Sequence, residues 1–266
     1  MSGFRSWRSY WDFERAVRRD RRYVRSDESE AFLESVRKGA ASRKVRLKKG
    51  ANFWRAQLGH DWRTEKQGDQ EFEVPCAHPP DRMKPLRNRA SEGRANPKGI
   101  PCLYLATTKE AAMSEVRPWI GSEISVGQFK LLKALDIIDC SREHDRMHFY
   151  IKEPPTEEIE RAVWAHIAKT FAEPMTRSDN TADYVATQII AELFKDAGYD
   201  GVAYKSNFGE KGYNIALFDI EAADLINCGL YRVDNIDMKF SQQDNPYFIR
   251  KYYPERKKKK AKKKAG

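Results

Sequence analysis

The chain has 266 residues, enough for one sizeable core with a smaller accessory piece, and a formal net charge of +10. It contains no apolar run long enough to span a bilayer, and the stretch from Met1 to Val24 lacks the unbroken apolar segment of a secretory signal. Cys76, Cys102, Cys140 and Cys228 are scattered, which argues against a disulfide framework and for a reduced, cytoplasmic protein with no membrane partner.

The charge is uneven. Residues 1–50 hold 15 Lys/Arg against 7 Asp/Glu, and the run Lys257–Lys264 adds seven lysines, which leaves residues 51–256 at a net −5. Such ends are usually solvated, able to make nonspecific contact with nucleic acid or any acidic surface, and are a poor place to expect the functional site.

In chain order, Trp7, Tyr10, Trp11 and Val17 recur at near-helical spacing among arginines. Ser26 or Asp27 is placed to cap a second helix carrying Phe32, Leu33 and Val36. This predicts a basic amphipathic arm packed on the main domain, with Gly39–Gly50 as a connector. "NFWRAQL" (Asn52–Leu58) reads as a strand. The polar stretch from His60 to Gly99 has no clear periodicity and reads as a long loop over a ligand. Cys102–Ala106 reads as a strand, Thr107 or Thr108 as the N-cap of a helix, and Pro118 as its stop. "KLLKALDIIDC" (Lys130–Cys140) suggests one strand, and residues 156–172 a helix. "TADYVATQIIAELFKDAG" reads as a helix begun by Asp179 or Thr181 and ended by Gly198. "GVAYKS" and "YNIALFDI" read as strands joined by "NFGEKG". The reading is a mixed α/β fold with one main domain.

The chemistry-bearing residues are ambiguous one at a time. Tyr104 shares a strand face with the small residues Cys102 and Ala106, which leaves room for a flat ligand, although pattern alone favours a core tyrosine. Glu115 stacks on Ala111 at i, i+4, so nothing bulky covers it, yet most helical glutamates are solvated. Arg55, between aromatic and apolar neighbours, either snorkels outward or is held inward for an anion. Ser206 ends one strand and opens a loop with Gly209 and Gly212. Dinucleotide and phosphate-loop fingerprints are missing. "HDRMH" (His144–His148) lacks the glutamate of zinc proteases and "CAH" (Cys76–His78) stands alone, so no metal is expected. No G-x-S-x-G is present.

Taken together, "FWRAQ", "GRANPKGIPCLYLATTKEAAMSEVRP" and "YVATQIIAELFKDAGYDGVAYKSNFGEKGYNIALFD" resemble the RES domain, named for an arginine, a glutamate and a serine that match Arg55, Glu115 and Ser206. The likeness spans Lys48 to Asn227 in separated blocks. It places a catalytic domain at 48–230 and says little about the parts outside it, the basic helical arm at 1–47 and a C-terminal extension at 231–266 with a disordered lysine-rich tail. It also implies an ADP-ribosyltransferase-like split, mixed β core with flanking helices, and NAD+ as the consumed substrate. The reaction would be hydrolysis, phosphorolysis with inorganic phosphate, or transfer of ADP-ribose to a protein. The family further implies a toxin neutralised by a helix-turn-helix antitoxin.

On that likeness Glu115 would stabilise positive charge on the ribose, Arg55 would clamp the pyrophosphate, Tyr104 would stack on nicotinamide or ribose, and Ser206 would orient. Arg94 and Asn96 would contact phosphate or the nicotinamide amide. Tyr184 and Gln188 would line the cleft, and Asn207 would join the substrate-binding set. A basic nucleic-acid-binding protein is the rival reading from another class, resting on the two charged ends.

Overall fold

A computed structural model describes residues 3–146, 148–173, 181–208, 212–238, 240–242 and 244–246. The chain divides into two units, Met1–Asp234 and Asn235–Gly266; the first holds every element discussed below.

The basic arm is helical as its spacing requires. Helix α1 (Ser9–Arg19) buries Tyr10, Phe13 and Val17, and α2 (Asp27–Ala40) starts where the Ser26 hydroxyl accepts the Ser29 amide. Both pack against α6 (Val185–Asp196), and α1 also against α5 (Thr156–Ala172); α5 and α6 in turn lie on the Gly201–Lys205 strand of the sheet. Phe13, Phe32, Val163, Phe171 and Phe194 form one core with Ile138 and Val202 beneath them. The arm is therefore part of the main hydrophobic core. The Gly39–Gly50 segment is more than a connector, since it contains strand β1 (Lys44–Leu47). In α6, Ile189 and Leu193 are only partly buried, and Ala186, Ile190, Ala191 and Phe194 provide the inward face. The proposed cap Asp179 lies outside the described residues.

The central sheet has eight strands: β1, then β2 (Asn52–Leu58), β5 (Leu103–Ala106), β6 (Glu123–Leu131), β7 (Leu135–Asp139), β8 (Gly201–Lys205), β9 (Tyr213–Leu217) and β10 (Ala223–Arg232), with β3 (Asp61–Gln67) and β4 (Gln70–Cys76) forming a separate hairpin. Their spatial order is β1-β7-β8-β9-β5-β2-β6-β10. Every pair is antiparallel except β7 with β8, so the fold is mixed α/β. A discontinuity positions the site. Strands β2 and β6 pair over seven residues, but β2 meets β5 through the single pair Trp54–Ala106. The sheet is split there into two halves held by one bridge.

Two expectations need correction, and one strand was not foreseen. The His60–Gly99 stretch is not one long loop: Asp61–Cys76 form the β3–β4 hairpin around Gly68-Asp69, followed by α3 (Pro80–Met83). The hairpin is exposed on both faces, so it carries no apolar alternation to reveal it. Lys130–Cys140 is not one strand either. It contains the end of β6, a turn at Leu132–Ala134, and β7. Strand β10 went unread because most of its residues lie at the sheet edge and are exposed or half-buried.

Candidate active site

The site grows from the split. Helix α4 (Lys109–Glu115) begins where the Thr108 side chain accepts the Ala111 amide at 3.1 Å, and it ends at Glu115, before Pro118. Its buried face is Ala111 and Ala112, small enough to let the helix lie close over Ala56, Ala106 and Val126. The loop after β8 also comes close: a Cβ on Gly212 would sit 2.6 Å from that of Ala111. Small residues thus bring the end of α4, the end of β8 and β9 to one point.

At that point sits the Glu115 carboxylate. Its Oε1 accepts hydrogen bonds from the Ser206 hydroxyl at 2.7 Å and from the Asn214 amide at 2.6 Å. Both donors are buried. Glu115 itself faces a cavity of about 640 Å³, within the range of small-molecule sites.

Arg55, Tyr104 and Glu115 line this one cavity, together with Ala90–Glu92, Tyr204 and Asn214. Arg55 donates through Nη1 to the Tyr104 carbonyl at 3.0 Å, across the gap between β2 and β5. Its Nε is buried without a partner. Burial pushes the guanidinium down to about 10. Among the described residues Arg55 makes no ion pair, and the carboxylates that share its cavity are those of Glu92 and Glu115. A buried charge without a counter-ion is costly, and an anionic ligand would relieve that cost.

Tyr104 is held at both ends of its hydroxyl. It donates to Asn96 Oδ1 at 2.6 Å and accepts the Ala95 amide at 3.0 Å. Burial raises the phenol well above its ordinary range, so the group stays neutral and is already fully engaged. Gly93 makes this possible, because a Cβ there would lie 2.5 Å from the tyrosine oxygen. What Tyr104 offers a ligand is its ring.

The remaining expected residues build the wall instead of presenting groups to the cavity. The Asn96 amide donates to the carbonyls of Ser91, Pro97 and Ile100, and Gln188 donates from α6 to the carbonyls of Gly93 and Asn96. Between them they fix the 91–97 loop that frames Tyr104. Arg94 donates to the Thr170 carbonyl and lies over the Tyr184 ring at 5.8 Å; neither residue lines the cavity. Asn207 lines a different cavity, beside Tyr10 and His166. Sequence reasoning missed Asn214. The signal was present, as Asn214 opens the "NIALF" segment of β9, but a strand asparagine gives no hint of its partner.

No group of three or more potential metal ligands occurs among the described residues, and no described helix is long and apolar enough to cross a membrane.

Comparison with known proteins places these features in a family. No curated protein matches the chain. A solved structure similar to it is a chain of the M. tuberculosis MbcT–MbcA toxin–antitoxin complex, at 14% identity and a TM-score of 0.38, covering 73% of this chain and 90% of that one. The family model described as the RES domain matches residues 53–240, a span that includes Arg55, Tyr104, Glu115, Ser206 and Asn214. The chain belongs to the RES domain family.

Proposed function

We propose that this RES domain cleaves the bond between nicotinamide and ribose in NAD+. One observation carries the reading: a half-buried guanidinium that makes no ion pair and a carboxylate held by two donors share a cavity at the split of the sheet. The substrate has a matching pair of charges, an anionic pyrophosphate and a ribose that becomes cationic as the bond breaks.

Nicotinamide departs as a neutral molecule, so no strong general acid is required. The electron pair of the C–N bond leaves with the ring nitrogen, and positive charge develops on the ribose as an oxocarbenium ion. A carboxylate already oriented at that carbon stabilises the transition state more than the ground state. Glu115 fits this role, with Oε1 engaged by two donors and Oε2 left for the sugar. Arg55, which lines the cavity, holds the pyrophosphate through charge-assisted hydrogen bonds from its guanidinium. Tyr104 contributes a ring face to nicotinamide or ribose, and its engaged hydroxyl takes no part in proton transfer. Water adding to the ribose carbon gives ADP-ribose and a proton; inorganic phosphate adding there gives the phosphorylated sugar. Family membership supports reading the chain as a toxin, with a helix-turn-helix antitoxin as the partner that covers the cleft.

Incubating the protein with NAD+, with and without inorganic phosphate, and resolving the products by chromatography tests this. Release of nicotinamide is expected, and the phosphate dependence assigns the acceptor. ADP-ribose found on protein instead of free would move the reaction to protein modification. Absence of nicotinamide in both buffers, from folded protein, would defeat the proposal.

A further inference from the structure

We infer that Asn214 is a positioning residue for Glu115, the donor that decides which carboxylate oxygen faces the reacting ribose; this rests on the NAD+-cleaving reading above. Three observations lead to it. First, both hydrogen bonds to Glu115 converge on one oxygen, Oε1. An oxygen accepting two donors has its in-plane lone pairs engaged, so the carboxylate cannot rotate to exchange its oxygens without breaking both bonds, and Oε2 is the one left towards the cavity.

Second, the two donors stand on supports of different rigidity. Asn214 sits inside β9, in register with Ala106 of β5 on one side and Tyr204 of β8 on the other, with 6% of its surface exposed. Ser206 lies one residue past the end of β8. Its hydroxyl accepts the Phe208 amide at 3.2 Å and also lies 3.3 Å from the Phe208 carbonyl, a second acceptor for its one proton, so the donor is shared with a turn. A group locked between two paired strands fixes a direction better than one at a strand end. Asn214 therefore sets the carboxylate, and Ser206 supplements it.

Third, beyond Asn214 and Ser206 no hydrogen bond among the described residues orients the Glu115 carboxylate. It is the last residue of α4, where the helix no longer constrains it on its C-terminal side, and its residue surface is exposed. Without Asn214 the Ser206 hydroxyl alone would hold the carboxylate, which could then pivot about that bond towards the open mouth of the cavity. Preorganisation, the source of electrostatic stabilisation in the transition state, would then be lost even though the charge remained.

The test is a comparison of Asn214→Ala, which deletes the donor, with Asn214→Asp, which keeps the size and removes the amide. Each is measured for nicotinamide release, for ADP-ribose affinity and for unfolding temperature, in the wild-type and Glu115→Gln backgrounds. Loss of a residue that orients a reacting group by a hydrogen bond is expected to lower kcat about 10- to 100-fold, by analogy with outer-sphere partners of metal ligands. ADP-ribose affinity should stay within about threefold, since the pyrophosphate clamp is untouched. In the Glu115→Gln background neither substitution should reduce the residual rate further, because residues acting as a unit are non-additive. A purely structural role would lower rate, affinity and unfolding temperature together, in both backgrounds. Wild-type activity with undiminished kcat in folded Asn214→Ala or Asn214→Asp would overturn this inference alone. A wild-type chain that releases no nicotinamide would overturn the proposed function and this inference with it.

Discussion

Replacing Arg55 with methionine separates stability from function. Methionine keeps the length and apolar stem of the side chain and removes the charge. In the folded protein, burial pulls the guanidinium from 12.5 down to about 10. That drop corresponds to roughly 3 kcal/mol by which the site disfavours the charged form relative to water. The substitution also removes the hydrogen bond to the Tyr104 carbonyl, worth about 1.5–3 kcal/mol for a charged donor. The balance is a gain of roughly 0–2 kcal/mol. For a domain of this size that is an unfolding temperature unchanged or raised by up to about 6 °C. Loss of the pyrophosphate clamp should meanwhile cost about 100-fold or more in NAD+ turnover, comparable to removing a preorganised donor from a transition-state site. The assay is thermal unfolding by circular dichroism beside nicotinamide release. An Arg55→Met protein that unfolds well below the wild type while retaining turnover would refute the reasoning, because Arg55 would then be a structural cation with no ligand to await.

Other outcomes follow from the same contacts. Gly93→Ala puts a Cβ 2.5 Å from the Tyr104 hydroxyl, which the rigid, doubly hydrogen-bonded ring cannot easily yield; a loss of about 1–3 kcal/mol is expected, read by urea denaturation, together with weaker ADP-ribose binding by calorimetry. His166 is held down to about 4 by burial, aided by His148 and Lys169. Its folded value lies below its unfolded one, so its neutral form contributes stability above pH 6.5 that is lost as pH falls from 6.5 towards 4. The full shift would be worth about 3 kcal/mol, and the partial exposure of the ring reduces this to roughly 1–2 kcal/mol. Urea midpoints at pH 7 and 4.5 check this, and His166→Leu should flatten the difference. Removing Lys257–Lys264 should leave NAD+ turnover unchanged while weakening salt-dependent RNA binding in a filter assay; turnover lost together with the RNA binding would contradict an accessory role for the tail.

The elements that bury one clear face were legible. The "NFWRAQL" strand, the Thr108 cap, the 156–172 helix and both strands around Ser206 stand where periodicity and capping put them. The exposed hairpin Asp61–Cys76 and edge strand β10 were not, because a strand without a buried face lacks the period-two signal that reveals strands. The break between β2 and β5 was equally hidden, since pairing register is a property of two segments far apart in sequence. For the site, single residues were undecidable. Arg55 resolves only when it is seen to line the cavity without an ion pair, and Glu115 only when its two donors appear. Asn96 and Gln188 look like ligand-binding residues in the sequence, but their amides are spent on the 91–97 loop. A polar residue in a binding motif can serve by shaping backbone, and only its partners reveal which.

The central claim is that Arg55 and Glu115 act on the two ends of one dinucleotide, the first by binding and the second by charge stabilisation. Calorimetric titration of ADP-ribose into wild type, Arg55→Met and Glu115→Gln, with nicotinamide release measured on the same preparations, addresses it directly. The account predicts that Arg55→Met loses affinity, whereas Glu115→Gln binds nearly as wild type yet turns over about 10²–10³-fold more slowly. Wild-type turnover in Glu115→Gln, or wild-type ADP-ribose affinity in Arg55→Met, would contradict it.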